Sequence, residues 1–153
     1  MFLIPFLIIC IHYVADFIFQ AEKWAINKSK NSVDLFSHVV TYSSLWILPS
    51  CALLANLRPG ETIEWYVFRT ILFFLVTFTS HFITDYITSR IVSKRFSSGY
   101  YGSPIPNFGA FSMIGLDQVL HYAQLFATFY LLTNKWKTWF LFRLPTHTRI
   151  HWW

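Results

Sequence analysis

Four apolar segments of this chain each carry a histidine and an aspartate four residues apart, and the order within the pair alternates from one segment to the next. The first reads His12-x3-Asp16, the second Asp34-x3-His38, the third His81-x3-Asp85 and the fourth Asp117-x3-His121. On a helix, residues i and i+4 share a face, about 6 Å apart along the axis. When successive helices run antiparallel, the alternation cancels in space, so the four histidines fall in one layer and the four aspartates in another. An ionisable side chain at the centre of a bilayer costs about 2.5 to 3.5 kcal/mol on insertion scales, and less near the interface. A matched set at one depth therefore points to a site that needs it, and the pattern predicts an all-α, integral membrane four-helix bundle.

Composition agrees with that reading. Of the 153 residues, 55% are hydrophobic, 21% aromatic and only 12% charged, with a mean hydropathy of +0.44, as expected of a multi-pass membrane protein. The formal net charge of +5 would suggest nucleic acid in a soluble chain. Here the lysines and arginines gather in the connections and the tail, which fits topology control and contact with membrane lipids, so no nucleic-acid partner is expected. Cys10 and Cys51 lie in apolar stretches and read as small buried hydrophobes, not as a disulfide. The N-terminal apolar run has no basic residues ahead of it and is interrupted by His12 and Asp16, so it reads as a span and not as a cleavable signal.

The predicted spans run from Phe2 to Gln20, Asp34 to Ala55, Trp65 or Tyr66 to Ser89, and Phe111 to Thr133, together a transmembrane domain over residues 1–133. Glu22 to Asn31 reads as a polar turn carrying Lys23, Lys28 and Lys30. Ser32 or Asp34 is the expected N-cap of the second span, and Pro49 is expected to kink it. Arg58-Pro59-Gly60 marks the second connection, and the longest connection runs from Arg90 to Ala110 with Arg90, Lys94 and Arg95 at its start. Residues 134–153 form a short, basic and aromatic tail, of which Trp136 to Leu144 is expected to lie in the membrane interface. Trp24, Trp65, Tyr66, Tyr100 and Tyr101 sit near span ends as belt and packing residues. Connections one and three carry more basic residues than the second, which places them in the cytoplasm and both termini outside, in a bacterial inner membrane.

All eight paired residues then lie toward the side of connections one and three. At ~1.5 Å per residue, the histidine layer sits ~8 to 15 Å beneath the span ends, with the aspartates nearer water. Several carboxylates at one depth repel unless cations intervene, and imidazole with carboxylate suits Zn, Mn, Fe or Ni, with zinc the expected ion. The expected ligands are His12, Asp16, His38, His81, Asp85, Asp117 and His121, enough for two ions with bridging carboxylates and open positions for water. Asp34 is secondary because it sits at a span boundary, where N-capping explains it equally well. Gln20, Gln118 and Lys28 are further polar groups on the same side. Tyr42, one turn beyond His38, reads as packing that is able to hydrogen-bond a ligand, and His147 and His151 read as interface residues of the tail.

The combination His12-x3-Asp16-Phe17-x2-Gln20, Lys28, His38, His81-x3-Asp85 and Asp117-Gln118-x2-His121 resembles a bacterial and phage membrane family, domain of unknown function 3307, over roughly residues 4–132. The resemblance implies a small polytopic membrane protein and no particular activity. Asp34 falls outside the family's pattern. A weaker likeness runs to bacterial membrane-bound metal-dependent hydrolases, which also carry intramembrane His and Asp pairs, and by analogy implies hydrolysis.

The leading expectation is an intramembrane metal-dependent hydrolase acting on a phosphoester or lipid-linked substrate at the cytoplasmic leaflet. Asp16, Asp85 and Asp117 are the candidate catalytic carboxylates, with one left uncoordinated as general base. Lys28, Arg90, Lys94 and Arg95 lie on the side where an anionic head group would bind. Three other readings fit part of the pattern. An ion or proton transporter would continue the polar path through Ser43, Ser44, Thr77 and Thr79. Haem held between facing histidines leaves the aspartates without purpose. A structural or regulatory membrane protein would use the polar groups as interhelical glue.

Overall fold

The computed structural model describes residues 3–102 and 104–133. The aromatic tail, with its expected interfacial stretch, His147 and His151, lies outside the described residues. Within them every regular element is helical: α1 (Leu3–Tyr13), α2 (Glu22–Asn27), α3 (Ser32–Leu45), α4 (Ile47–Leu57), α5 (Ile63–Ser97) and α6 (Phe108–Thr133).

Helix α1 does not stop at Tyr13 but widens over Val14–Ile18. The turn closes with Phe19 N–H donating to Val14 O at 3.1 Å, a bond across five residues where an α-helix uses four. Such widened turns re-aim the side chains they carry, and Asp16 is one of them. The next segment corrects the sequence reading, because Glu22–Asn27 forms a helical turn and not only a polar loop. Lys28 N–H closes it on Trp24 O at 2.8 Å. Six residues without a Ser or Thr cap give no readable periodicity, which is why the sequence pattern misses it.

Asn31, and not Ser32 or Asp34, caps α3, its side chain accepting from Val33 N–H at 2.9 Å. Helices α3 and α4 are one apolar run broken at Trp46. Pro49 has no N–H to give the carbonyl of Leu45 four residues back, so the ladder fails where the expected kink falls. Ser32–Leu57 and Ile63–Ser97 are long and apolar enough to cross a membrane, and Leu3–Ile18 is apolar but shorter. Helix α5 runs eight residues past the predicted end at Ser89, so Arg90, Lys94 and Arg95 are helical and the third connection is correspondingly short.

Along α5, Arg69, Phe73, Thr77, His81 and Asp85 follow one another at intervals of four, and all are buried. This stripe faces the rest of the bundle, since α5 packs on α3, α4 and α6. Toward one end Trp46, Phe73 and Phe129 pack as an aromatic cluster, with Phe73 and Phe129 centroids 4.6 Å apart. Beyond it Arg69 Nη1 donates to Leu132 O and Arg58 Nη1 to Thr133 O, at 2.7 and 2.8 Å, satisfying the last carbonyls of α6. Glu61 accepts from both arginines. Toward the other end the stripe reaches His81 and Asp85. The outer surface is strongly apolar, with Phe6, Leu48, Phe68, Ile71, Leu75 and Phe111 among the exposed side chains.

Candidate metal centre

The polar end of the bundle draws four donor atoms from three elements toward one point. His38 Nε2 from α3 lies 3.1 Å from His81 Nε2 of α5, 3.2 Å from Asp16 Oδ1 of the widened turn and 3.3 Å from Asp85 Oδ2. His81 Nε2 lies 3.5 Å from Asp16 Oδ1 and 3.6 Å from Asp85 Oδ2. A tetrahedral ion with bonds near 2.0 to 2.1 Å separates its donors by about 3.3 Å. The separations among His38, His81 and Asp16, 3.1 to 3.5 Å, bracket that value, so these three fit one divalent ion, with Asp85 Oδ2 within 3.6 Å of both histidines. Asp16 Oδ1 is buried with no hydrogen-bond donor from the described residues, which a cation would correct.

A second group of potential ligands shares His81 and joins it to Asp85 and to His121 of α6. His121 Nε2 stands 3.3 Å from Asp85 Oδ1, so the two oxygens of Asp85 face two different histidine environments. His121 Nδ1 lies 3.4 Å from the carbonyl of Asp117. A proton on Nδ1 leaves the buried, unpartnered Nε2 free as a ligand.

The layered expectation needs correcting in its details. His12 lies outside both groups with each ring nitrogen already engaged. Tyr42 O–H donates to Nδ1 at 2.8 Å and Nε2–H donates to Gln118 Oε1 at 2.9 Å. The direction follows from Gln118, whose Nε2 donates to Asp117 Oδ2 at 3.2 Å and Asp16 Oδ2 at 3.4 Å. A flipped amide would set its oxygen against two carboxylates. His12 thus positions Asp16 through Gln118. Asp117 also stays outside, accepting from Thr88 Oγ1–H at 2.5 Å. Thr88, three residues past Asp85, has no signal in the sequence. Asp34 is turned toward connection one, 3.6 Å from the exposed Lys23, so the aspartates do not form a layer of four.

Lys28, in the connection after α2, reaches into the site and donates to Asp85 Oδ2 at 2.7 Å. Burial alone would pull its ammonium below the ordinary lysine range, but Asp85 and Asp16 more than offset that and hold its pKa above the range. A cleft of about 920 Å³ leads to the site, with Asp16, Gln20, Lys28, Asp85, Asp117 and Gln118 along its inner part. It is walled by residues of connection one, the last turns of α5 and the first of α6, the side on which the sequence places it.

A helical bundle with a buried His and Asp cluster at the end of a cleft is the class of protein defined so far. The chain matches the family described as Protein of unknown function (DUF3307) over residues 2–148, and it belongs to that family. The match reaches past residue 132 into the tail. No curated protein and no solved structure matches the chain.

Proposed function

We propose that this protein is a four-span membrane protein of the bacterial inner membrane whose centre binds a divalent transition metal, zinc first, and hydrolyses a phosphoester. The observation that carries the reading is the set of five donor separations, 3.1 to 3.6 Å, around His38, His81, Asp16 and Asp85. The apolar exterior around a core that holds buried His and Asp side chains supports the membrane assignment. Connections one and three, with Lys23, Lys28 and Lys30 on the first, face the cytoplasm. His121 with His81 and Asp85 would hold a second ion.

A divalent ion held by these histidines and aspartates would supply a water of lowered pKa and polarise the ester. Asp117, outside both groups of ligands and on the cleft wall, is placed to take one proton from the attacking water as the water oxygen bonds to phosphorus. The bond from phosphorus to the ester oxygen breaks, and Asp117 returns the proton to the leaving alkoxide. Thr88 and Gln118 hold the Asp117 carboxylate in place. Transport is disfavoured by the Trp46, Phe73 and Phe129 cluster, which interrupts a polar path beyond Thr77.

Elemental mass spectrometry on protein purified without chelator, paired with phosphate release from a panel of phosphoesters, tests this. The expected result is at least one equivalent of metal in wild type and in Asp117→Asn, with hydrolysis reduced by about 100-fold or more in the variant. Metal-free wild type, or full activity in Asp117→Asn, would overturn it.

A further inference from the structure

The cleft contains more polar hardware than the metal centre uses. Lys28 has three N–H donors, of which one goes to Asp85 and the other two have no acceptor among the described residues. Ser89 Oγ and Gln20 Oε1 are buried without hydrogen-bond partners, and both residues line the same cleft. Left this way, each such group costs free energy, so a ligand that satisfies them binds well. The missing partner of Lys28 and Ser89 is an acceptor with several oxygens, and that of Gln20 is a donor such as the attacking water.

The charge along the cleft has a direction. Its carboxylates are Asp16, Asp85 and Asp117, all at the inner end, whereas Lys30, Arg90 and Lys94 line it without an acidic residue beside them. An anion is therefore drawn in past the cations toward a centre that a divalent ion makes attractive. Phe17, Ile26, Phe96 and Ile114 also line the cleft, and each is 40% or more exposed. Apolar side chains beside a cationic wall suit a ligand with an apolar part, and the cleft volume far exceeds a phosphate group.

We infer that the ligand of this cleft is a phosphate ester carried on an apolar chain, its phosphate held by Lys28 and Ser89 beside the metal centre and its chain lying along Phe17, Ile26, Phe96 and Ile114. This rests on the metal-centre reading and names its substrate class. Lys28 bridges the two parts of the site, since the ammonium that bonds Asp85 also meets the phosphate. Ser89 contributes a neutral donor beside it. The cations near the mouth attract the head group without fixing its orientation.

The test is equilibrium binding to the full-length, metal-loaded protein in phosphatidylcholine nanodiscs. The probes are the uncleavable phosphonate analogue of dioleoyl phosphatidate, soluble methylphosphonate, and dioleoylglycerol. The lipid phosphonate is expected to bind at least about 100-fold more tightly than methylphosphonate, because each buried methylene is worth about fourfold. Dioleoylglycerol should fail to compete. Lys28→Met should weaken lipid phosphonate binding by about tenfold or more and Ser89→Ala by about fivefold, both with metal content retained. Equal binding of methylphosphonate makes the ligand a soluble phosphate, and competition by dioleoylglycerol makes the cleft a lipid groove without head-group recognition. Either outcome overturns the inference. Hydrolysis of phosphatidate and of glycerol 3-phosphate, measured in parallel, separates the two readings. Glycerol phosphate cleaved without lipid phosphonate binding keeps the hydrolase and removes the lipid. Lipid phosphonate bound with neither ester cleaved does the opposite.

Discussion

His38 and His81 point their Nε2 atoms at each other across 3.1 Å, although 43 residues separate them in the chain. One shared proton satisfies such a pair, but the same His38 nitrogen also stands 3.2 Å from Asp16 Oδ1 and 3.3 Å from Asp85 Oδ2. Four atoms rich in lone pairs around one point are compatible with burial when a cation sits among them. His81 belongs to both groups of ligands and His121 to one. His81→Ala is therefore expected to lower metal content by about tenfold or more, whereas His121→Ala should keep the first ion and lose any second. Elemental analysis of the two variants side by side checks this, and equal losses would contradict the assignment of separate positions.

The chain from Tyr42 through His12 and Gln118 to Asp16 makes a different demand. Each member donates in one direction, and the last donor holds a carboxylate that faces the metal position. Groups that orient a ligand typically contribute 10- to 100-fold in metal affinity. Gln118→Ala should weaken zinc binding by about tenfold, measured by competition with a chromogenic chelator. Tyr42→Phe should have a smaller effect of the same sign, since His12 retains its bond to Gln118. Unchanged affinity in Gln118→Ala would show that Asp16 needs no such support.

Asp34 separates the sequence pattern from the site. Its carboxylate pairs at 3.6 Å with Lys23, whose side chain is 73% exposed. Asp34 itself is buried, but its partner is solvated and 3.6 Å away, so the pair contributes about 0 to 1 kcal/mol. Asp34→Ala should leave metal content unchanged and lower stability by less than about 1 kcal/mol. Asn31→Ala, which removes the α3 cap, should cost about 1 kcal/mol. Thermal unfolding in detergent, with metal analysis, compares the two. Loss of metal in Asp34→Ala would restore the fourfold arrangement that the pairs suggest.

Much of this was legible before any coordinates. Spacing of four on antiparallel helices brings His38, His81, His121, Asp16 and Asp85 to one end of the bundle, and periodicity alone carries that conclusion. Which of the four pairs supplies ligands was not legible, because it depends on side-chain direction. Asp16 is re-aimed by a five-residue turn that nothing in Val14–Ile18 announces. Asp34 sits where α3 begins and, though buried, faces Lys23 and not the ligand groups. His12 has the right spacing, yet Tyr42 and Gln118 take both of its nitrogens. Thr88 and Ser89 are ordinary helix residues in sequence and matter only because the cleft passes them.

The far end of the bundle gives a test of fold without the site. Arg69 is buried on the α5 stripe, with Glu61 at 3.2 Å and Leu132 O at 2.7 Å as its partners. Arg58 joins the same carboxylate and holds Thr133 O. Removing one member of a buried charge network leaves the others desolvated and unpaired, a cost of about 3 to 5 kcal/mol. Arg69→Met keeps the volume but removes the charge and the bond to the α6 carbonyl. It is expected to lower the unfolding midpoint in detergent far more than Asp34→Ala does. Below that midpoint, metal content should stay at the wild-type level, because Phe73 and Thr77 lie between Arg69 and His81 on the same helix face. A folded Arg69→Met protein that has lost its metal would mean that the two ends of the bundle are coupled and that the aromatic cluster does not insulate them.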